Sequence, residues 1–256
     1  MKQSMTGKRV LSGVLMAALA GCAMTPPVPT QSINANRTGY LEGHFAPADL
    51  PAAVLQTIRS ADTGTLPFTR VRIEQVGTSK DPTGKIVGTY THDRLLINEG
   101  NGLISELTRI SSNGIEVLDE YTIGYRDMFG LRSQAVAMSS LDAGYIVSAV
   151  KLDDFTAFSG QDAVHYAGEF TSTQPYAIAG KGSMACKRGA SIAASELNPA
   201  IPGTAVAYTC EKINANGVET TKFQDYYLQA VGIFITVASR TASNSYTFRY
   251  TSFRMS

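Results

Sequence analysis

The chain has 256 residues, a formal net charge of +1 and three cysteines. That length suits one large β domain or two small ones, and 44% hydrophobic residues exclude a disordered chain. Charged residues are only 17%, against roughly 25% in an average soluble domain, and with no basic surplus a nucleic-acid surface is not expected.

The N-terminus reads as a targeting segment. Lys2, Lys8 and Arg9 make a positive region, and Val10 to Ala20 follow as an apolar run of eleven residues. A bilayer-spanning helix needs about 20, so this run belongs to a signal peptide and not to a membrane span. It ends in Leu19-Ala20-Gly21-Cys22. These four residues, in this order after these two regions, resemble the lipobox of bacterial lipoproteins. The resemblance implies cleavage before Cys22, a diacylglycerol thioether on its sulfur and acylation of its new amino group. Several acyl chains together make a stable anchor, where one alone holds only marginally. Ala23, not Asp, follows the cysteine. For a Gram-negative source, the resemblance then implies a cell outer-membrane location facing the periplasm. Removing residues 1–21 takes three of the 22 basic residues and none of the 21 acidic ones. The mature chain therefore has 235 residues and a net charge of −2.

Residues 22–39 read as a flexible tether, because Pro26, Pro27 and Pro29 lie among polar neighbours. Residues 40–256 are expected to form a single antiparallel β domain. One short helix precedes the strands. Asp49 is the expected N-cap, Pro51 falls near the first turn, and Leu50, Val54, Leu55 and Ile58 share a face, with an end near Ser60.

After Thr65 the pattern has period two. Val71 and Ile73 alternate with Arg70, Arg72 and Glu74; Tyr246, Phe248 and Tyr250 alternate with Thr247, Arg249 and Thr251. Asp81-Pro82-Thr83-Gly84, Asn101-Gly102, Asn113-Gly114 and Asn216-Gly217 are turn signals. Asn-Gly suits a type I′ turn because both central residues need positive φ. These signals predict hairpins pairing 68–77 with 85–97, 103–111 with 115–123 and 203–213 with 218–228. Further strands are expected near 131–138, 144–152, 163–170, 231–239 and 245–254. Ala230–Ala238 is apolar throughout and reads as a strand buried on both faces. So many strands need closure or stacking to remove their edges. The expected class is all-β: an antiparallel meander forming a barrel, half-open barrel or sandwich. Uneven strands, a poorly sustained outward pattern and the lack of Trp argue against a transmembrane barrel.

Setting Cys22 aside for lipid leaves Cys186 and Cys210. An exported chain meets oxidising conditions, so these two are expected to form a disulfide. No C-x-x-C, G-x-S-x-G, H-E-x-x-H or P-loop pattern occurs, and no catalytic residue, metal site or cofactor is expected. Gly180-Lys181-Gly182 reads as a glycine-rich turn. His92 reads as a solvated residue beside a turn, its neighbour Asp93 pointing to the opposite face. His165 is expected on the face away from the core, and His44 near the tether. The acidic pairs Asp119-Glu120 and Asp153-Asp154 read as solvated. Tyr226, Tyr227, Phe234, Tyr246, Phe248, Tyr250 and Phe253 are expected to build the core of the C-terminal strands, with a cavity wall as the sharper alternative.

The leading expectation is a non-enzymatic outer-membrane lipoprotein acting as a binding or envelope accessory module. Its partners would be the membrane, through the N-terminal lipid, and an envelope protein. The alternative is a carrier that shields a lipid or other apolar ligand in a half-open barrel, and an envelope hydrolase ranks third.

Overall fold

The computed structural model describes residues 28–175, 177–214 and 216–256. The signal peptide and Cys22 lie outside them. Among the described residues, twelve antiparallel strands close into a barrel by sequential hairpins, with β1 (Arg70–Lys80) sealing against β12 (Ser245–Met255). The others are β2 (Ile86–Gly100), β3 (Leu103–Ser112), β4 (Ile115–Tyr125), β5 (Phe129–Ala137), β6 (Val147–Asp154), β7 (Ala163–Ser172), β8 (Gly180–Ala193), β9 (Thr204–Asn214), β10 (Glu219–Leu228) and β11 (Ile233–Arg240).

The turn chemistry acts where the sequence places it. Asn101, Gly102, Asn113 and Gly114 all have positive φ, between 52° and 77°. At Gly102 the need is also steric, since a Cβ there would come within 2.5 Å of the Tyr125 ring. Gly180-Lys181-Gly182 is no turn: it opens β8, a fourteen-residue strand of which the sequence pattern marks only the stretch around Cys186. Small residues and Gly189 dilute the alternation there, and pairing with β7 and β9 supplies the missing preference. Apolar continuity in 230–238 holds for Ile233, Phe234 and Ile235, all buried; Ala230–Gly232 form the preceding turn.

Among the described residues three helices, not one, precede the barrel. They are α1 (Thr30–Ala35), α2 (Arg37–His44) and α3 (Ala52–Ala61). Packing thus begins at Thr30, inside the stretch read as tether. Thr30, Ile33 and Leu41 are buried, and Arg37 pairs with Asp119 at 2.7 Å and Glu116 at 2.6 Å. The proline signal ended earlier than expected because the polar residues after it find partners on the outer wall of β4. Asp49 does not cap α3, whose N-cap is Pro51. Its carboxylate accepts from Ala46 N at 3.0 Å and closes the short 3-10 turn before the helix. Val54 and Ile58 are buried as the helical spacing requires.

The helices run down the outside of the barrel. Pro29 bridges Asp142 in the β5–β6 connection, Ser105 donates to the carbonyl of Phe45, and Asn101 in the β2–β3 turn donates to that of Asp62. The chain therefore enters at one end of the barrel and reaches the other before β1 starts. At that second end Asp62 accepts from Tyr125 Oη at 2.6 Å and Arg126 Nη2 at 2.7 Å. Arg126 also donates to the Gly232 carbonyl, and Phe158 N donates to Tyr125 Oη. Phe158, Tyr208, Tyr227 and Phe234 pack edge to face just inside, with centroids 4.5–5.7 Å apart. This end is closed. The outer wall carries ion pairs such as Arg254–Glu74 and Lys222–Glu211, so no uninterrupted lipid-facing band surrounds the barrel.

Candidate functional site

Strand alternation decides which side chains enter the barrel. On β3, Ile104, Glu106 and Thr108 point inward, and their β4 partners Glu120 and Thr122 join them. Gln75 on β1 and its partner His92 on β2 do the same, as do Lys212, Phe223 and Asp225 on β9 and β10. Together they surround a cavity of about 330 Å³ above the aromatic plug. A second hollow of about 410 Å³ adjoins it at Thr122, Phe129, Gly130, Met184 and Lys212. That hollow continues past Asn214 and Thr220, toward the end opposite the plug.

The lining is acid-rich. Arg94 holds two of its carboxyls, with Nε 2.5 Å from Glu106 and Nη2 2.7 Å from Asp127. Thr108 Oγ1 also donates to Glu106. Burial would raise both carboxyls. For Glu106 the Arg94 guanidinium overcomes it and holds the group below the usual range. Asp127 is pushed well above its usual value by burial, and it donates its proton to Glu106. This trio is close to neutral as a unit. Asp127 reaches its place because Arg126 and Asp127 both adopt positive φ in the β4–β5 turn.

Lys212, Glu120 and Asp225 form the unpaired remainder. Burial raises Asp225 to about 6, against hydrogen bonding from Thr236 and the charges of Lys212 and Arg94. Burial also raises Glu120 and lowers Lys212. Glu120 and Lys212 are wetted by the lumen even though the wall surrounds them, and neither makes an ion pair within 4 Å among the described residues. Asp225 Oδ1 and Gln75 Oε1 are buried acceptors without a partner. Both side chains are 95% buried, so each lacks a hydrogen bond that bulk water would have supplied.

His92 is not the solvated residue its position beside a turn suggests. It lines the cavity, edge-on to Phe248 at 5.5 Å, and burial and then Arg94 lower it to about 4. Asp93 does point the other way and pairs with Arg109 outside. His165 faces out and meets Asp154 at 2.6 Å, while Asp153 takes Lys151. His44 ends α2 beside Tyr40. The Asp119-Glu120 pair is split by the pleat: Asp119 is buried under Arg37 outside, and Glu120 looks into the lumen. Of the seven aromatics expected to build the C-terminal core, Phe248 lines the cavity, joined there by Phe223; Tyr227 and Phe234 join the plug, and Tyr250 and Phe253 a second apolar cluster. Cys186 and Cys210 are bonded across β8 and β9, one inward position below Met184 and Lys212.

Sequence reasoning passed over Arg94, Glu106, Asp127, Lys212 and Asp225. One signal was available. Glu106 shares its parity with Ile104 and Thr108, so a charged residue sits on a face that also carries an apolar one.

The fold and its cavity define a class: a closed antiparallel barrel, plugged at one end, with a polar lumen. No protein-family model and no curated protein matches the chain. Among solved structures it is similar to a β-barrel-like protein of a domain of unknown function, DUF1849, from Brucella abortus. That likeness has a TM-score of 0.46 at 10% identity and covers 75% of this chain and 100% of that one. It is also similar to a DUF1329 family protein from Desulfovibrio piger, with a TM-score of 0.39 at 9% identity, covering 78% of this chain and 89% of that one.

Proposed function

We propose that this chain is a lipid-anchored protein of the outer membrane, held through Cys22, whose lumen binds a small polar ligand carrying an amine. It acts as a binding module of the envelope and not as an enzyme. The observation that carries this reading is Asp225, whose Oδ1 is buried without a partner and whose carboxylate has no ion pair within 4 Å among the described residues, in an acid-rich, wet cavity. Arg94 is spent on Glu106 and Asp127, which leaves Lys212 against both Glu120 and Asp225. A ligand ammonium restores neutrality, and ligand N–H or O–H groups satisfy Asp225 Oδ1 and Gln75 Oε1. A cavity of about 330 Å³ lies at the small end of ligand sites, which run from about 300 to 1,000 Å³.

An apolar cargo fits less well. It would strip water from Glu120, Lys212 and Asp225 and return no hydrogen bonds. Hydrolysis lacks its machinery too. His92 at about 4 is a weak base at neutral pH, and no serine or threonine hydroxyl bonds it among the described residues.

Calorimetric titration with glucosamine and N-acetylglucosamine tests the lumen, since the two sugars differ in the charge of one nitrogen. Glucosamine should bind more tightly, and Asp225→Asn should remove most of that preference. Equal affinity for both sugars, or no binding of glucosamine, overturns the ligand assignment. The anchor has its own test: palmitate labelling should vanish in Cys22→Ser, and labelling that persists refutes it.

A further inference from the structure

We infer that the open end of the barrel lies on the membrane surface, with the apolar tips of its hairpins set among the lipid headgroups. The inference rests on the lipid-anchor reading and adds an orientation to it.

Exposed apolar side chains collect at this end. The β1–β2 hairpin presents Ile86 and Val87, β3–β4 presents Ile115, β5–β6 presents Leu141, β7–β8 presents Ile178, and β9–β10 presents Val218. Leu141 and Ile178 are 89% and 91% exposed. Tight turns ordinarily carry Gly, Asn, Asp or Ser, and grouped exposed apolar residues on a soluble body mark a contact surface. The β11–β12 turn, Thr241-Ala242-Ser243-Asn244, is the one rim connection without such a residue among the described ones. At the plugged end the connections bury theirs: Leu66, Phe158, Ile201 and Val231 are all below 8% exposure, and Met255 is the exposed large apolar residue there.

The path of the chain selects the occupant. The folded body begins at this same rim: Thr30 N donates to the Leu141 carbonyl at 2.9 Å and Ala143 N to that of Val28 at 3.0 Å. Five residues, and so six Cα–Cα steps, separate Cys22 from Val28. Whatever their conformation, they span at most about 20 Å. An eleven-residue strand tilted by 35–45° climbs about 28 Å along a barrel axis. Lipid on Cys22 therefore reaches the rim end and not the plugged end, and the nearest body residues to it include Leu141. The occupant is a bilayer surface. Lys80 and Lys85 at the rim are interleaved with Asp81, so docking depends on apolar insertion more than on anionic lipid.

The test uses the full acylated chain in vesicles of phosphatidylethanolamine and phosphatidylglycerol. With Cys22 in thioether linkage and Cys186 bonded to Cys210, a single introduced cysteine is the free thiol. An environment-sensitive fluorophore is placed at Ile178→Cys, Ile115→Cys or, as control, Met255→Cys. Spin-labelled lipid should quench the two rim probes at least about twofold more than the control, as expected for side chains some 5–10 Å into the interface. Intact-mass measurement on the same samples reports acylation. Acylated protein with equal quenching at all three positions overturns the orientation and leaves the anchor standing. Protein that carries no acyl chain overturns both. These positions are exposed, and thermal melts confirm that each variant folds.

Discussion

Replacing Asp225 by Asn should stabilise the protein, and by an amount that depends on pH. Burial raises this carboxyl from its ordinary 3.8 to about 6. The native state therefore prefers the protonated form. Its contribution is complete below about pH 4 and is lost as pH rises through about 6. The difference in pKa corresponds to about 3 kcal/mol against the ionised form. Asn has nearly the same shape and cannot ionise. Urea denaturation of the wild type and Asp225→Asn should agree closely near pH 4. Near pH 8 the variant should be more stable, by up to about 3 kcal/mol. Because Asp127 and Glu120 are also raised, the pH slope of the wild type alone is not diagnostic; the difference between the two proteins isolates Asp225. A difference that is flat from pH 4 to 8, or a variant less stable at pH 8 than at pH 4 relative to wild type, would refute the assignment of Asp225 as an unpaired buried carboxyl. The same titration bears on binding. An amine favours the ionised carboxylate, so affinity for glucosamine should fall below about pH 6 in the wild type and change less in the variant.

The other expectations are simpler. Asp62→Ala leaves Arg126 buried without its anion and Tyr125 Oη without its acceptor, and should cost about 3–5 kcal/mol in urea melts at neutral pH. Arg94→Met leaves the buried Glu106 carboxylate without its cation. Arg94 holds Glu106 below its unfolded value, so a loss of similar size at pH 7 should shrink as pH falls below about 4. Cys186→Ser with Cys210→Ser opens a loop with a sequence separation of 24, and the chain-entropy relation puts the loss at about 3 kcal/mol. Alkylation of the unreduced protein should find neither thiol. Phe234→Ala removes the ring that touches Phe158, Tyr208 and Tyr227, and should cost about 3–5 kcal/mol.

Much of the barrel was legible because its causes are local. Period-two alternation in Val71–Gln75 and Tyr246–Tyr250 needs only the pleat. Asn101-Gly102 and Asn113-Gly114 need only positive φ, and they set the hairpins β2–β3 and β3–β4. The disulfide was readable from an even remainder of cysteines, and strand pairing puts Cys186 opposite Cys210. Residues 30–44 misled because their helices are held by contacts far along the chain: Arg37 to Asp119, Tyr40 to Gln134.

The lumen belongs to the tertiary structure alone. Gln75, Glu106, Lys212 and Asp225 come from four strands, up to 150 residues apart, and meet only when β1 closes against β12. Sequence by itself determines that strands form, where they turn and which side chains share a face. It does not state which face becomes the inside, because a one-sided polar face reads the same whether it meets bulk water or an enclosed cavity. Closure makes that choice. It also turns carboxylates that would be ordinary in solvent into raised, partly unpartnered groups, since their titration depends on how much protein surrounds them.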